Sequence, residues 1–339
     1  MTLFLRSPLL SVLGSLLMAL ALAGPALAAP DDPAFVTAAR MGRGVNVLGY
    51  DGIWDGGTDA PFRLAEFAQI KAAGFGHVRI NLFGFKYMDK ANRISPDVLD
   101  DLDRVLDAAI AAGLVPVIDE HDNEICQNAD PGCAPKLLAF WTQISQRYAH
   151  RYPEAVFEIL NEPGWKMTTG QWNALSARAL KLIRSTNPDR TVIVAALNLD
   201  DRTTITALKL PEADRNLIVT VHYYKPFHFT HQGASWDPEL AKLHDIDWGS
   251  DADKRQVVAD LQQVADWAKI EGRPIYLGEF GAYEGAPAEA RARWVSFVAR
   301  TAEGFGWPWA YWQFDHDFAL FNQDTQQWVA PILSALIPR

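Results

Sequence analysis

The order of apolar runs constrains this chain more than any other feature. Short runs rich in Val, Ile and Leu, bounded by Gly or Pro, alternate with longer stretches in which apolar residues recur at helical spacing. The strand-type runs are Gly42–Val47, His77–Leu82, Val115–Ile118, Val156–Leu160, Thr191–Ala195, Leu217–His222, Pro274–Leu277 and Ala310–Phe314. Helical patterns lie between them at Phe62–Ala73, Pro96–Ala112, Ala134–His150, Thr169–Asn187, Asp251–Glu271 and Pro287–Gly304, with a short, poorly defined one around Thr203–Leu208. Ser95 followed by Pro96 reads as a cap and first turn, and the glycines after Ala73 and Ala112 read as C-terminal caps feeding short loops. A strand-then-helix unit repeated to eight strands, with no Gly-rich phosphate loop after the first, predicts an α/β fold: a single (β/α)8 TIM barrel rather than a doubly wound sheet.

The first residues are read separately, because Met1–Ala29 has the pattern of a secretory signal: Arg6, an apolar run from Leu9 to Ala23, then Ala26, Leu27 and Ala28. Cleavage after Ala28 makes residues 1–28 a leader and residues 29–339 one domain. The apolar run is short for a bilayer span and Gly24-Pro25 breaks it, so the processed chain is expected to be free of the membrane, exported to a periplasm or secreted, and monomeric. A net charge of -10 argues against nucleic-acid partners, which need clustered Lys and Arg, and suits a neutral or small substrate. Cys126 and Cys133, the two cysteines of an exported chain, are expected to form a local disulfide; two free buried thiols is the alternative.

Barrel enzymes carry their chemistry at the carboxyl ends of the strands. The polar residues there are Arg79 and Asn81 in the second strand, His121 after the third, Asn161 and Glu162 after the fourth, His222 and Tyr224 after the sixth, Glu279 after the seventh and Trp312 in the eighth. Two are carboxylates on opposite sides of the barrel, Glu162 and Glu279, and opposed carboxylates are what glycosidic cleavage requires. If Arg79 reaches Glu279, its guanidinium favours the ionised form that a nucleophile needs. The run Phe157-Glu-Ile-Leu upstream of Asn161-Glu162 is largely apolar, and partial desolvation suits Glu162 to the acid role. A single Glu after a strand is more often an ion-pair partner or helix cap, so the combination carries the reading. His121, Asp122, Glu124 and His222 form an alternative ligand set for Zn or Mn, but that reading leaves Asn161, Glu162 and Glu279 without a role.

The 12 tryptophans divide in the same way. Trp141, Trp172, Trp267 and Trp294 fall on helical patterns and are expected in the core, whereas Trp54, Trp165, Trp236, Trp248 and Trp312 fall in or beside the loops that follow strands, or at a strand end, and are candidate stacking platforms for sugar rings.

From about Gly42 onward the chain resembles glycoside hydrolase family 5, the cellulase family, in four segments: Ile159-Leu-Asn-Glu-Pro163, the stretch from His222-Tyr-Tyr-Lys-Pro to Gly-Ala-Ser-Trp236, Leu277-Gly-Glu-Phe-Gly281, and Ala310-Tyr-Trp-Gln-Phe314. The resemblance implies that Glu162 is the acid/base and Glu279 the nucleophile, that Asn161 meets the sugar 2-hydroxyl, and that Tyr224 and Arg79 hold Glu279. It also implies that His121 and His222 line the cleavage point and Trp312 its floor. No metal or organic cofactor is needed for that chemistry. The likeness is strongest to bacterial endo-β-1,4-glucanases, implying a retaining hydrolase of β-glucan chains, with an exo-acting β-glucosidase, a β-mannanase or a carbohydrate-binding barrel without turnover as alternatives. Two departures concern substrate preference: His121-Asp122-Asn123 stands where such enzymes often carry paired histidines, and Gln313 where they often have Glu.

Overall fold

The computed structural model describes residues 32–56 and 60–338, so the expected leader lies outside the described residues. Eight parallel strands, β1 (Arg43–Val47), β2 (His77–Leu82), β3 (Val115–Glu120), β4 (Val156–Glu158), β5 (Val192–Ala195), β6 (Leu217–Tyr223), β7 (Ile275–Phe280) and β8 (Trp309–Tyr311), close in sequence order into a barrel, with β8 paired back onto β1. This is the (β/α)8 TIM barrel expected from the alternation. Helices Glu66–Ala73, Pro96–Ala111, Cys133–Arg147, Thr169–Thr186, Asp251–Glu271 and Ala288–Gly304 follow the predicted ranges closely, and the weak pattern after β5 is a 3-10 turn, Arg202–Ala207. Ser95 occupies the cap position of its helix but its side chain makes no capping bond, since Pro96 at the first turn leaves one fewer N–H to satisfy.

At their upper ends β3 and β7 run two and three residues further than their apolar stretches, while β4 and β8 stop two and three residues short of theirs, and the extension of β3 and β7 bears on function. The interior turns polar there while the backbone ladder continues, with Asn81 and Leu82 paired to Asp119 and Glu120, and His222 and Tyr223 to Glu279 and Phe280. Glu279 therefore sits inside its strand rather than beyond it, His222 lies within β6, and Trp312 follows β8 instead of lying within it.

The lower end is apolar and plugged. Helix Pro33–Met41, which the sequence pattern did not single out, buries Ala34, Ala38 and Met41 among Val115, Val117, Val156, Ile193, Ile218, Tyr276 and Ala310. His77 is enclosed just above, its Nδ1 3.0 Å from the Met41 carbonyl and its Nε2 3.0 Å from the Tyr276 hydroxyl. Gly44 lies against this ring so closely that a Cβ there would come within 2.2 Å of it. Helix tryptophans tie the outer layer to the other end: the indole of Trp141 donates to the Ile159 carbonyl (2.8 Å) and that of Trp172 to the Ala195 carbonyl (2.9 Å), fixing the segments that lead into Asn161–Glu162 and into the turn after β5.

Candidate active site

Arg79 organises the upper barrel. Its fully buried guanidinium donates from Nε and Nη2 to the two oxygens of Glu158 (2.8 and 2.9 Å), from Nη1 to Asn46 Oδ1 (2.9 Å) and Glu279 Oε1 (2.7 Å), and from Nη2 to Asn161 Oδ1 (2.9 Å). Asp119 Oδ2 lies 3.1 Å from Nη2. One cation thus faces three carboxylates, and the enclosure resists ionising all of them. Burial raises Glu158 and brings Asp119 up to about 6 against the pull of Arg79. Asp119 in turn holds His121, whose Nδ1 is 2.5 Å from Asp119 Oδ2.

Glu279 is fixed from both sides: besides Arg79 on Oε1, the Tyr224 hydroxyl donates to Oε2 at 2.9 Å. Across the opening, His222 Nδ1 stands 2.9 Å from Glu162 Oε1 and 3.6 Å from Glu279 Oε2. Oxygen atoms of the two glutamates and this nitrogen all lie within 4.8 Å of one another. Burial pushes Glu162 up to about 7, yet its side chain is 23% exposed and faces the cleft, so it is desolvated enough to hold a proton and open enough to deliver one. Burial also pushes His121 and His222 down to about 4, leaving both imidazoles neutral at neutral pH.

Arg79, His121, Asn161, Glu162, His222, Tyr224, Glu279 and Trp312 converge here, and Asn81 lies beneath them, its Nδ2 3.2 Å from His121 Nδ1. Trp312 stacks on His121 with centroids 5.5 Å apart and meets Tyr50 edge-on. The cleft above, about 490 Å³, is walled by Tyr50, Phe83, Phe227, Trp236 and Phe318. Trp236 (53% exposed) lines this cleft, whereas Trp165 (67% exposed) is not part of its lining. Trp54 and Trp248 are both buried, and the Trp54 indole donates inward to the Leu48 carbonyl, because large rings in these connections complete the outer core. The helix tryptophans 141, 172, 267 and 294 are buried as expected.

The metal set His121, Asp122, Glu124 and His222 is not assembled; among the described residues the metal-ligating side chains that converge are Glu162, His222 and Glu279. His121 is instead taken up by Asp119. A larger groove of about 820 Å³ near the barrel floor, lined by Val36, Lys269, Arg273 and Trp307 among others, contains no acid.

Two further residues of the site, Asp119 and Glu158, carried a signal in the sequence: Glu158 is a charge inside an apolar run and Asp119 one directly after it. Gln127 carried no such signal. Cys126 and Cys133 are disulfide-bonded, pinning the one-turn helix Glu124–Gln127 to the helix Cys133–Arg147. From there the Gln127 side chain donates to the Glu162 carbonyl (3.0 Å) and its own carbonyl accepts from Lys166 N–H (2.8 Å), bracing the loop that carries Glu162.

Residues 40–317 match the model of the cellulase family, glycosyl hydrolase family 5. The chain belongs to this family. It is 30% identical over 318 residues to Endoglucanase H of Acetivibrio thermocellus, covering 90% of this chain and 33% of that protein. To Endoglucanase A of Clostridium longisporum it is 28% identical, covering 79% of this chain and 56% of that one. The chain thus spans a third to just over half the length of these two relatives. Among solved structures it is similar to Thermotoga maritima Cel5A in complex with mannotriose, with 35% identity, a TM-score of 0.85, and coverage of 90% of this chain and 100% of that one. It is also similar to the cellulose synthase subunit Z of Clostridioides difficile, with 33% identity, a TM-score of 0.82, and coverage of 88% and 99%. This family 5 chain contains no helix, among the described residues, long and apolar enough to cross a membrane.

Proposed function

We propose that this family 5 protein is a retaining endo-β-1,4-glucanase in which Glu279 is the nucleophile and Glu162 the acid/base. The observation that carries the reading is the meeting of two carboxyls in contrasting surroundings. Glu279 is held by a guanidinium and a phenol, while Glu162 is shifted to about 7 by burial, with oxygens of the pair inside 4.8 Å. That spacing supports direct attack, since retaining enzymes hold the carboxyls about 5–5.5 Å apart and inverting ones leave about 6.5–9.5 Å for a water.

In the first step a Glu279 oxygen bonds to the anomeric carbon as the glycosidic C–O bond breaks, and the Glu162 proton passes to the departing oxygen. In the second, Glu162 takes a proton from water, the water oxygen bonds to the anomeric carbon, and the Glu279 ester bond breaks. Asn161, kept in place by Arg79, is positioned for the sugar 2-hydroxyl, and Trp312 stacked on His121 forms a platform under the ring at the cleavage point. These roles need no metal or organic cofactor.

The relatives named endoglucanases, and a Thermotoga maritima structure with cellobiose as well as the one with mannotriose, support a β-1,4-linked glucan or mannan chain as substrate. We assign residues 1–28 to a leader removed on export and the remainder to one catalytic domain acting as a monomer on soluble or amorphous chains.

Reducing-sugar release from barley β-glucan, carboxymethylcellulose, glucomannan and short cello-oligosaccharides, run for wild type and Glu279→Ala, tests the assignment. Release from the glucan polymers, lost by at least about a thousandfold in the variant, is expected. Release confined to oligosaccharides would move the assignment to an exo-acting β-glucosidase, and glycan binding without release from any substrate to a binding protein.

A further inference from the structure

Among the buried acids to which the mechanism above gives no role, Asp200 lies nearest in contact to Glu162, accepting its backbone N–H. Asp200 follows β5 in a turn where Asn198, Leu199 and Asp200 all have left-handed backbones, with φ of 58, 64 and 53°. Three consecutive non-glycine residues in this region persist only when the surroundings impose it, and such strain gathers at functional sites. Here the imposing partner is the Glu162 loop. Leu199 N–H donates to the Pro163 carbonyl (3.1 Å), and Gly164 presses so closely on Asn198 that a Cβ would lie 2.4 Å from its Cα. The turn delivers a carboxyl with no exposed surface directly beneath Glu162.

Asp200 Oδ2 accepts the Glu162 backbone N–H at 3.0 Å and stands 3.6 Å from His222 Nε2, while Oδ1 and His222 Nε2 have no hydrogen-bond partner. His222 therefore bridges two carboxyls, with Nε2 towards Asp200 and Nδ1 2.9 Å from Glu162 Oε1. In a neutral imidazole one nitrogen donates and the other accepts, and the partner of one decides the role of the other. With the proton on Nε2, Nδ1 is an acceptor, and its short contact is satisfied only when Glu162 is the donor. With the proton on Nδ1, the imidazole would instead stabilise the Glu162 carboxylate.

We propose that Asp200 is a positioning residue for Glu162: it anchors the Glu162 peptide and draws the His222 proton onto Nε2, so that the imidazole favours Glu162 in its protonated, proton-donating form. The proposal rests on the acid/base reading of Glu162. The 3.6 Å separation is long for a hydrogen bond, and catalytic hydrogen bonds in ligand-free sites are often long and tighten with substrate. Once Glu162 has given up its proton, its carboxylate faces the Nδ1 lone pair, which favours recovery of a proton from the water of the second step.

The charged groups facing Asp200 are Glu158 and Glu162 from the β4 side, Arg79 from β2 and His222 from β6. Those facing Glu162 are Arg79, Asp119 and His121, with His222 and Glu279 across the cleft. Burial and the neighbouring glutamates raise Asp200.

Asp200→Ala and Asp200→Asn separate this role from a structural one. Loss of the acceptor in Asp200→Ala frees the Nδ1–H tautomer, so the alkaline limb of the kcat/KM profile should move down by about one pH unit, an about tenfold loss above the limb, with the acid limb unmoved. Asp200→Asn, which keeps an oxygen at the Oδ2 position, should retain the wild-type limb. An unmoved limb in folded Asp200→Ala, an equal loss at every pH, or an Asn variant behaving like Ala would each overturn the proposal. Should the alanine variant not fold, nitrogen NMR of isotopically labelled histidine in the wild type decides: a protonated Nε2 on His222 supports the role and a protonated Nδ1 overturns it. Glu162→Gln runs alongside, because wild-type turnover there overturns the acid/base reading and this proposal together. Lost turnover in Glu162→Gln with an unmoved limb in Asp200→Ala overturns the proposal alone.

Discussion

At the scale of single residues, the site is a problem in distributing too few positive charges among too many acids. Arg79 is one cation among Asp119, Glu158 and Glu279, and it directs Nη1 to Glu279 while burial raises the other two carboxyls. Glu162 lies outside its hydrogen-bond reach, and desolvation brings that carboxyl to about 7. The sign of the pH dependence follows. An acid with a raised pKa keeps its proton further into the neutral range and loses it above, so kcat/KM on β-glucan should hold to about pH 7 and fall tenfold per unit beyond. A profile measured across this range that stayed flat to pH 9 would contradict the assignment. The eight residues of the site were legible in the sequence because a barrel converts position along a strand into position at the mouth. Asp200, Gln127 and Tyr50 were not, since they reach the site through loops whose paths no spacing encodes.

At the scale of elements, the alternation of runs located all eight strands, and β3 and β7 exceed their apolar stretches for one reason. Hydrophobic pattern marks where an element is apolar, whereas the ladder continues through Asp119–Glu120 and Glu279–Phe280 into the polar interior. The helix Pro33–Met41 has no clear pattern of its own because it is short and alanine-rich, and its importance comes from what it plugs. Above that plug, the packing of β1 on β2 depends on Gly44 leaving room for the buried, doubly bonded His77 ring. Gly44→Ala should destabilise the barrel by about 1–3 kcal/mol or more, read as a lowered denaturant midpoint, because neither the ring nor the strand can yield freely. An unchanged midpoint would show that β1 shifts at no cost.

At the scale of the whole molecule, the net charge of -10 acts over the distances that govern encounter with a polymer. A neutral β-glucan has no charge to be repelled, while carboxymethylcellulose does. Raising ionic strength from about 10 mM to 200 mM should therefore increase kcat/KM on carboxymethylcellulose and leave that on barley β-glucan nearly unchanged. Equal salt responses on the two substrates would argue against a global electrostatic term. The central claim, however, is chemical: that this barrel breaks the glycosidic bond by forming a covalent bond to Glu279. The most direct test is to incubate the protein with a fluorinated cellobioside that forms a glycosyl-enzyme quickly and hydrolyses it slowly, then map the labelled peptide by mass spectrometry. The account predicts one sugar per chain, attached to Glu279 in the peptide Leu277-Gly-Glu-Phe-Gly281. A label on Glu162 or elsewhere, or turnover of β-glucan with no trapped sugar, would contradict it.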